Sequence, residues 1–179
     1  VIYLGRDGVR LYFNESGNSL APAVRLSSVP PVDRASRLSV VDLLGQGTAC
    51  LVLSRPLPQG SVVFSEILGW RRADGSIEHG KKPHLLERVS NNLGGETRIT
   101  YASSTKFYLQ DKAAGRPWLT RLAFPVQVIE RVEHIDAVAK TKLVRRFAYH
   151  HGYFDGRERE FRGFGRTEQW DAESFSGET

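Results

Sequence analysis

The sequence predicts an all-β protein built largely from antiparallel hairpins in series. Three observations carry that prediction. Residues 147–170, F-A-Y-H-H-G-Y-F-D-G-R-E-R-E-F-R-G-F-G-R-T-E-Q-W, alternate aromatics, glycines and charges with almost no aliphatic residue. Tyr149, His151, Tyr153 and then Glu158, Glu160, Arg162 fall two apart there, the period of strands and not of helices. Between the apolar runs of the whole chain stand Gly-, Asn- and Asp-rich clusters of the kind that close hairpins.

Taken in order, residues 1–4 and Val9-Arg10-Leu11-Tyr12-Phe13 read as short strands on either side of Gly5-Arg6-Asp7-Gly8. Asn14-Glu15-Ser16-Gly17-Asn18 is a turn cluster, followed by strand-like Ala23-Val24-Arg25-Leu26. Pro30-Pro31 interrupts. Leu38-Ser39-Val40-Val41-Asp42 and Cys50-Leu51-Val52-Leu53 then flank Leu43-Leu44-Gly45-Gln46-Gly47-Thr48. Short strands with turns between them, repeated through about fifty residues, have the rhythm of a propeller blade. The Asp42-x-x-Gly45-x-Gly47 turn resembles the loop of integrin-type propeller repeats, where aspartates can hold calcium. Only Asp42 is a carboxylate here, and Leu44 and Gln46 stand where a calcium loop alternates oxygen ligands. A structural turn is therefore expected, not a metal site.

Pro56-Leu57-Pro58-Gln59-Gly60 is the clearest break in the pattern, which sets the expected domains at residues 1–58 and 59–179. Beyond it, residues 61–68 and 77–82 flank Asp74-Gly75, a hairpin tip. Residues 84–89 and 97–101 flank Ser90-Asn91-Asn92-Leu93-Gly94-Gly95, a second one. Lys106-Phe107-Tyr108-Leu109-Gln110-Asp111-Lys112 is the one helical stretch, stopped before Gly115 and Pro117. Residues 124–136 are β-branched and alternating, a long strand that pairs with 142–150 across Ala137-Val138-Ala139-Lys140. Asp155-Gly156 is expected to be a tight primed turn, with Gly156 supplying positive φ. Gly163 and Gly165 around Phe164 suggest a bulge or a close backbone approach.

Composition narrows the chemistry. The chain has 179 residues, enough for a real core, and no methionine even at position 1, so a piece of a longer or processed protein is expected. No apolar run reaches the roughly 18 residues of a membrane span, and nothing resembles a signal peptide. The net charge is +5, with arginine as 19 of the 25 basic residues. Arg157, Arg159, Arg162 and Arg166 are interleaved with Glu158, Glu160 and Glu168, which reads as cross-strand ion pairing and not as a phosphate track, so no nucleic-acid partner is expected. The single cysteine, Cys50, lies in an apolar run and reads as a core residue. His150 and His151 are adjacent on a strand and cannot face one metal. His79, His84 and His134 lack ligand spacing to any Cys or carboxylate cluster. Neither Gly45-x-Gly47 nor Gly94-Gly95 precedes a helical pattern, so no nucleotide cradle and no cofactor is expected.

Four blocks in order are similar to a known family. They are V-D-L-L-G-Q-G-T-A-C-L-V (41–52), K-P-H-L-L-E-R-V-S-N-N-L-G-G-E-T (82–97), Y-A-S-S-T-K-F-Y-L-Q-D-K-A-A-G-R-P-W (101–118) and Y-H-H-G-Y-F-D-G-R-E-R-E-F-R-G-F-G (149–165). All resemble the middle region of the B components of bacterial insecticidal toxin complexes, relatives of virulence-plasmid B proteins. The resemblance implies a secreted, non-enzymatic scaffold. Residues 1–58 would be the last part of a β-propeller-like domain and 59–179 the start of a shell of RHS (YD-type) repeats. The implied partners are a C component, with which the shell encloses a toxic polypeptide, and a pore-forming A component, on which the propeller docks. The structural residues expected to matter are Asp42, Gly45 and Gly47 at the blade turn. In the shell motif they are Tyr149, Tyr153, Asp155, Gly156, Phe161, Gly163 and Gly165.

Two other classes compete with that reading. Virulence-plasmid B proteins carry ADP-ribosyltransferase activity in another domain, and Arg98, Ser103-Ser104-Thr105 and Glu158-x-Glu160 imitate its elements in order. The Ser/Thr order is wrong, and the arginines around both glutamates would hold them as ion pairs. A hydrolase would need an exposed nucleophile turn, and no Gly-x-Ser-x-Gly occurs. A free-standing adhesion or carbohydrate-binding domain would instead show solvent-facing aromatic platforms.

Overall fold

A computed structural model describes residues 1–5, 7–26, 29, 32, 35–56, 60–68, 70–71, 77–78 and 82–175; for 70–71, 77–78 and 172–175 only the backbone is described. The Pro30-Pro31 break, most of the 56–60 segment, the Asp74-Gly75 tip and His79 lie outside those residues. The described chain is all-β apart from one helix, and every strand pair is antiparallel. It divides into two units, 1–44 with 48–81, and 45–47 with 82–179.

The first unit is made of short strands. β1 (Ile2–Gly5), β2 (Gly8–Leu11) and β5 (Val24–Leu26) form one sheet, and β3 (Asn14–Glu15) and β4 (Ser19–Leu20) a small ladder. β6 (Arg37–Val41), β7 (Cys50–Arg55) and β8 (Ser61–Glu66) form a second sheet, and β9 (Trp70–Arg71) pairs with β10 (Ile77–Glu78). Five strand-like runs stand in the first fifty or so residues of the sequence; seven strands begin there. The extra pair forms because Asn14 Oδ1 accepts from Gly17 N at 2.9 Å, closing the polar cluster into a hairpin of its own. Val9, Val29, Leu51 and Leu53 are the core, with Ile2, Leu26, Leu38 and Ile67 packed against it. Cys50 is fully buried and free, and burial pushes its thiol pKa up, so it is a core residue as expected.

The second unit is one sheet in the order β11 (Arg88–Ser90), β12 (Gly95–Ser103), β13 (Gln127–Asp136), β14 (Thr141–Asp155), β15 (Glu160–Phe175). Of the pairing expected between 124–136 and 142–150, the register holds Arg131–Asp136 against Thr141–Arg146, with Asp136 opposite Thr141. Helix α1 (Ser104–Ala113) interrupts the meander between β12 and β13. It begins two residues before the expected stretch. Ser103 caps it by accepting from Thr105 N at 3.2 Å, and Ser104 is locked to Val126 by two hydrogen bonds, Ser104 N to Val126 O and Val126 N to Ser104 Oγ. The Ser103-Ser104-Thr105 run that imitated a transferase strand is thus a helix start.

The hairpin turns β13–β14 and β14–β15 are built alike. Asp136 Oδ1 accepts from the amides of Val138 and Ala139, and Asp155 Oδ1 from those of Arg157 and Glu158. Each loop then closes on a basic residue in the left-handed region, Lys140 at φ 54° and Arg159 at φ 55°. This corrects the expected two-residue primed turn at Gly156. The Asp155 carboxylate supports a four-residue loop, 156–159, and the left-handed residue is Arg159. Arg159→Gly is expected to stabilise the hairpin by about 0.5–1 kcal/mol, because glycine takes that conformation without a Cβ penalty. A lower urea midpoint for the variant would contradict the turn described here.

Two bulges shape the sheet. Between Thr100 and Tyr101 the partner jumps from Arg131 to Ile129, leaving Glu130 unpaired on the ladder, where it reaches Lys106 of α1. Between Tyr153 and Phe154 the partner jumps from Gly163 to Phe161, so Arg162 is the extra residue and Gly163 follows at φ 96°. The expected alternation of Tyr149, His151 and Tyr153 also breaks. His151 sits at φ 59°. As a result Tyr149 and Gly152, three apart, both meet the Trp118–Phe164 side of the core, and Tyr153 is 44% exposed.

Candidate functional site

Helix α1 is tied to the long strands through two of its side chains, one turn apart. Phe107 is buried with Ala102 and Val128, and Trp118, Val126, Ala148, Tyr149 and Phe164 pack around them. Its ring meets Tyr149 edge-on, centroids 5.6 Å apart, and Tyr149 in turn lies 5.0 Å from Phe164. The Tyr149 hydroxyl donates to Ile129 O at 2.9 Å, and burial raises its pKa. Four residues after Phe107, Asp111 is buried as well. Its Oδ2 accepts from Trp118 Nε1 at 2.7 Å and lies 2.6 Å from His150 Nδ1. One carboxylate therefore joins the helix, the segment that follows it and β14.

Burial by itself would raise the Asp111 pKa, but the hydrogen bonds from His150 and Trp118 outweigh it and hold the carboxyl below its ordinary range. With Nδ1 donating to Asp111, the other ring nitrogen of His150 is buried without a hydrogen-bond partner among the described residues. The Glu168 carboxylate is 3.7 Å away. A second buried acid, Glu133 on β13, is ion-paired by Arg131 and by Lys142 at 2.6 Å. The Lys142 hydrogen bond is the main reason its pKa falls, against the opposing effect of burial.

Both carboxyls bind protons less readily folded than unfolded. Their stabilisation is complete above the ordinary values, 3.8 and 4.5, and is lost as pH falls through the lower folded ones. The second unit is therefore expected to lose stability below about pH 4, and Asp111→Asn to flatten that decline. Urea midpoints measured from neutral pH downward test this; a midpoint that stays level through about pH 3 would contradict it.

The segment after the helix is stitched to β14. Leu119 N donates to His151 Nδ1 at 3.2 Å, Thr120 Oγ1 to Gly152 O at 2.9 Å, and Phe154 N to Arg121 O at 3.2 Å. Gly152 permits this approach. A Cβ there would stand 2.9 Å from both Leu122 Cδ2 and Trp118 Cζ3. Between the helix and this segment opens a pocket of about 660 Å³, with Tyr108, Trp118, Arg121 and Phe124 in its lining.

The residues singled out from the sequence fall in three places. Gly45 and Gly47, at φ 64° and 79°, belong to a turn that groups with the second unit. Ser103 Oγ donates to Gly45 O and Gln127 Nε2 to Gln46 O, and a Cβ on Gly45 would meet Thr105 Oγ1 at 2.8 Å. Asp42 stays in the first unit, partly exposed. Tyr149 is in the aromatic core, and Phe161 stacks on its edge, 5.4 Å from Phe164. Tyr153, Asp155, Gly156 and Gly163 shape the β14–β15 tip, and a Cβ on Gly165 would lie 3.2 Å from His151 Cβ. Asp111, Trp118, His150 and Gly152 escaped the sequence reading of site residues. Their partners are 7 to 39 residues away, and periodicity does not register them.

The charges on β15 meet the expected cross-strand pairing in part, and pair along the strand as well. Arg162 pairs with Glu160 at 3.1 Å and Arg166 with Glu168, each two residues along the same strand, and Arg162 also reaches across to Asp155 of β14 at 3.9 Å. Arg145–Asp171, at 3.6 Å, crosses between register partners. Among the described residues no group of three or more His, Cys, Asp or Glu side chains converges as metal ligands. No helix among them is long and apolar enough to cross a membrane.

Comparison with known proteins agrees with this architecture. Residues 14–179 match the family described as the insecticide toxin TcdB middle/N-terminal region. The crystal structure of TcdB2-TccC3-Cdc42 superposes with a TM-score of 0.78 at 32% identity, over 98% of this chain and 8% of that one. TcdB2-TccC3 without the hypervariable C-terminal region gives 0.77 at 33%, and TcdB2-TccC3 gives 0.76 at 30%, with the same coverage. No curated protein matches. The fold is thus that of an all-β segment of a toxin-complex subunit. More particularly, the chain belongs to the TcdB middle/N-terminal region family and spans 8% of the length of the TcdB2 structures it matches. The matched region is not a known catalytic domain.

Proposed function

We propose that this chain is a non-enzymatic scaffold segment of a secreted toxin-complex B component. In this reading residues 1–58 form the last part of a β-propeller-like domain, and 59–179 begin an RHS/YD-type β shell. The shell joins a C component to enclose a toxic polypeptide, and the propeller docks on a pore-forming A component. The observation that carries the reading is the likeness, over 98% of the chain, to TcdB2 in structures where that protein is paired with TccC3. The serial hairpins of the second unit support it. β15, sixteen residues long, pairs with β14 alone among the described residues, and such an edge readily takes another strand. The scaffold role is also favoured over a transferase by the pairing of Glu160 with Arg162 along a strand and by Ser103 acting as a helix cap.

The test is limited proteolysis of the intact protein expressed with its C partner. A C-terminal polypeptide of the partner should resist digestion in the complex and lose that protection when residues 59–179 are deleted. Gly163→Val, which puts a β-branched residue at φ 96°, should weaken protection by straining the β14–β15 tip. A complex that forms but shelters nothing would sink the container reading.

A further inference from the structure

The pocket between α1 and residues 118–125 has no role in the scaffold reading, and its chemistry is specific. Three aromatic side chains, Tyr108, Trp118 and Phe124, line it together with Leu122 and Pro125. Thr105, Thr120 and Arg121 are the longer polar side chains. About 660 Å³ is the size of a ligand site, and an apolar wall with a few placed polar groups is the usual composition of one.

The walls are fixed before anything binds. Trp118 is held by its hydrogen bond to Asp111 and by edge contacts to Tyr108 at 5.6 Å and Phe164 at 6.1 Å. Phe124 rests on Phe154, centroids 5.1 Å apart. The carbonyl of Arg121 is engaged by Phe154 N and the hydroxyl of Thr120 by Gly152 O, so the lining segment is anchored along β14. Pre-organisation of this kind lowers the entropy lost on binding.

Two features select the ligand. The first is charge. Across the sheet, arginines and lysines meet carboxylates: Arg88 and Arg98 on Glu96, Arg131 and Lys142 on Glu133, Lys106 on Glu130. Arg116, Arg146, Arg157, Arg159 and the exposed Arg121 make no ion pair with a described residue, and of these Arg121 lines the pocket, as its one charged side chain. A free guanidinium beside aromatic rings calls for a carboxylate next to an apolar or aromatic group. The second is access. Tyr108 and Phe124 are 37% and 42% exposed, so the pocket opens to solvent, and Leu119, beside Trp118 in the chain, is 91% exposed. That layout suits a side chain carried on an extended backbone better than an enclosed small molecule.

We propose that the Tyr108–Trp118–Arg121–Phe124 pocket binds an extended acidic peptide segment, seating an aromatic side chain between the rings and a neighbouring carboxylate on Arg121. The probe is the acetylated, amidated pentapeptide Glu-Asp-Phe-Asp-Glu, titrated into the intact protein by calorimetry at low salt. Saturable binding is expected. Replacing the peptide phenylalanine by alanine, or its acids by the amides, should weaken binding at least tenfold.

Arg121→Gln and Tyr108→Ala should each cost a similar factor. Lys112→Gln, on the same helix but outside the pocket, removes the same charge and should leave affinity within twofold. Circular dichroism and an unchanged urea midpoint confirm that the exposed-site variants fold. Equal losses for Arg121→Gln and Lys112→Gln would mean unspecific attraction to a basic protein and overturn the proposal. So would phenylacetate binding as tightly as the peptide, which would make this a small-molecule site, or no saturable binding at all. The readout uses a free peptide and no C partner, so its failure leaves the container reading standing, and the converse holds as well.

Discussion

Asp111→Ala is expected to destabilise the second unit by about 3–5 kcal/mol, because two partners lose the one buried carboxylate that serves them both. The carboxylate accepts from Trp118 and His150 at once. Alanine would leave the indole N–H and the Nδ1 side of His150 buried and unpartnered, and each such loss is itself worth about 1–3 kcal/mol. Asp111→Asn keeps one acceptor oxygen and should cost roughly half as much. Urea denaturation followed by tryptophan fluorescence reads both, and the emission of Trp118 should shift to the red as its pocket loosens. The two units can melt separately, so the change belongs to the transition that carries Trp118. A loss under about 1 kcal/mol would show that water replaces the carboxylate at little cost, and that the network adds little to the fold.

Phe107→Ala should be comparably damaging, about 3–5 kcal/mol, for a different reason. Phe107 is 5% exposed and is the residue through which the helix enters the aromatic core. Truncation removes its burial and its edge contact with Tyr149 and leaves a void between Ala102, Val128 and Trp118. Phe107→Leu fills most of that void and should cost about 1–1.5 kcal/mol. Calorimetric melting of the two variants separates them. Equal losses would mean that contacts specific to the ring matter more than filled volume; a small loss for alanine would mean the helix can collapse onto the sheet.

What could be read from the sequence follows from how local each signal is. The pairing of β13 with β14 was legible because strand alternation and the Ala137–Lys140 link both lie within a single stretch of chain. The helix was legible from Lys106 to Lys112, but its first turn was not. Ser103 and Ser104 become a cap and a bridge only when Val126, twenty-two residues beyond Ser104, is brought alongside. Gly156 was given the left-handed conformation because glycine usually takes it, whereas Asp155 bonds two amides and passes that conformation to Arg159. His151 broke the alternation that placed Tyr149 and Tyr153 on one face. Nothing in a histidine's neighbours announces a positive φ. The Asp111–Trp118–His150 network was hidden for the same reason: its members are ordinary residues until a fold makes them adjacent.

The fifteen-residue length of β14 has a mechanical consequence. At about 3.3 Å per residue it runs roughly 50 Å, bonded to β15 along its whole length. β13 and then the 119–121 segment take successive parts of its other side. A force applied along such a strand loads many hydrogen bonds in parallel, whereas one applied at its tip opens them one by one. The unit is therefore stiff to traction along its hairpins and weak to peeling from the Gly156–Arg159 end, so any machine that unpacks it in steps would start there.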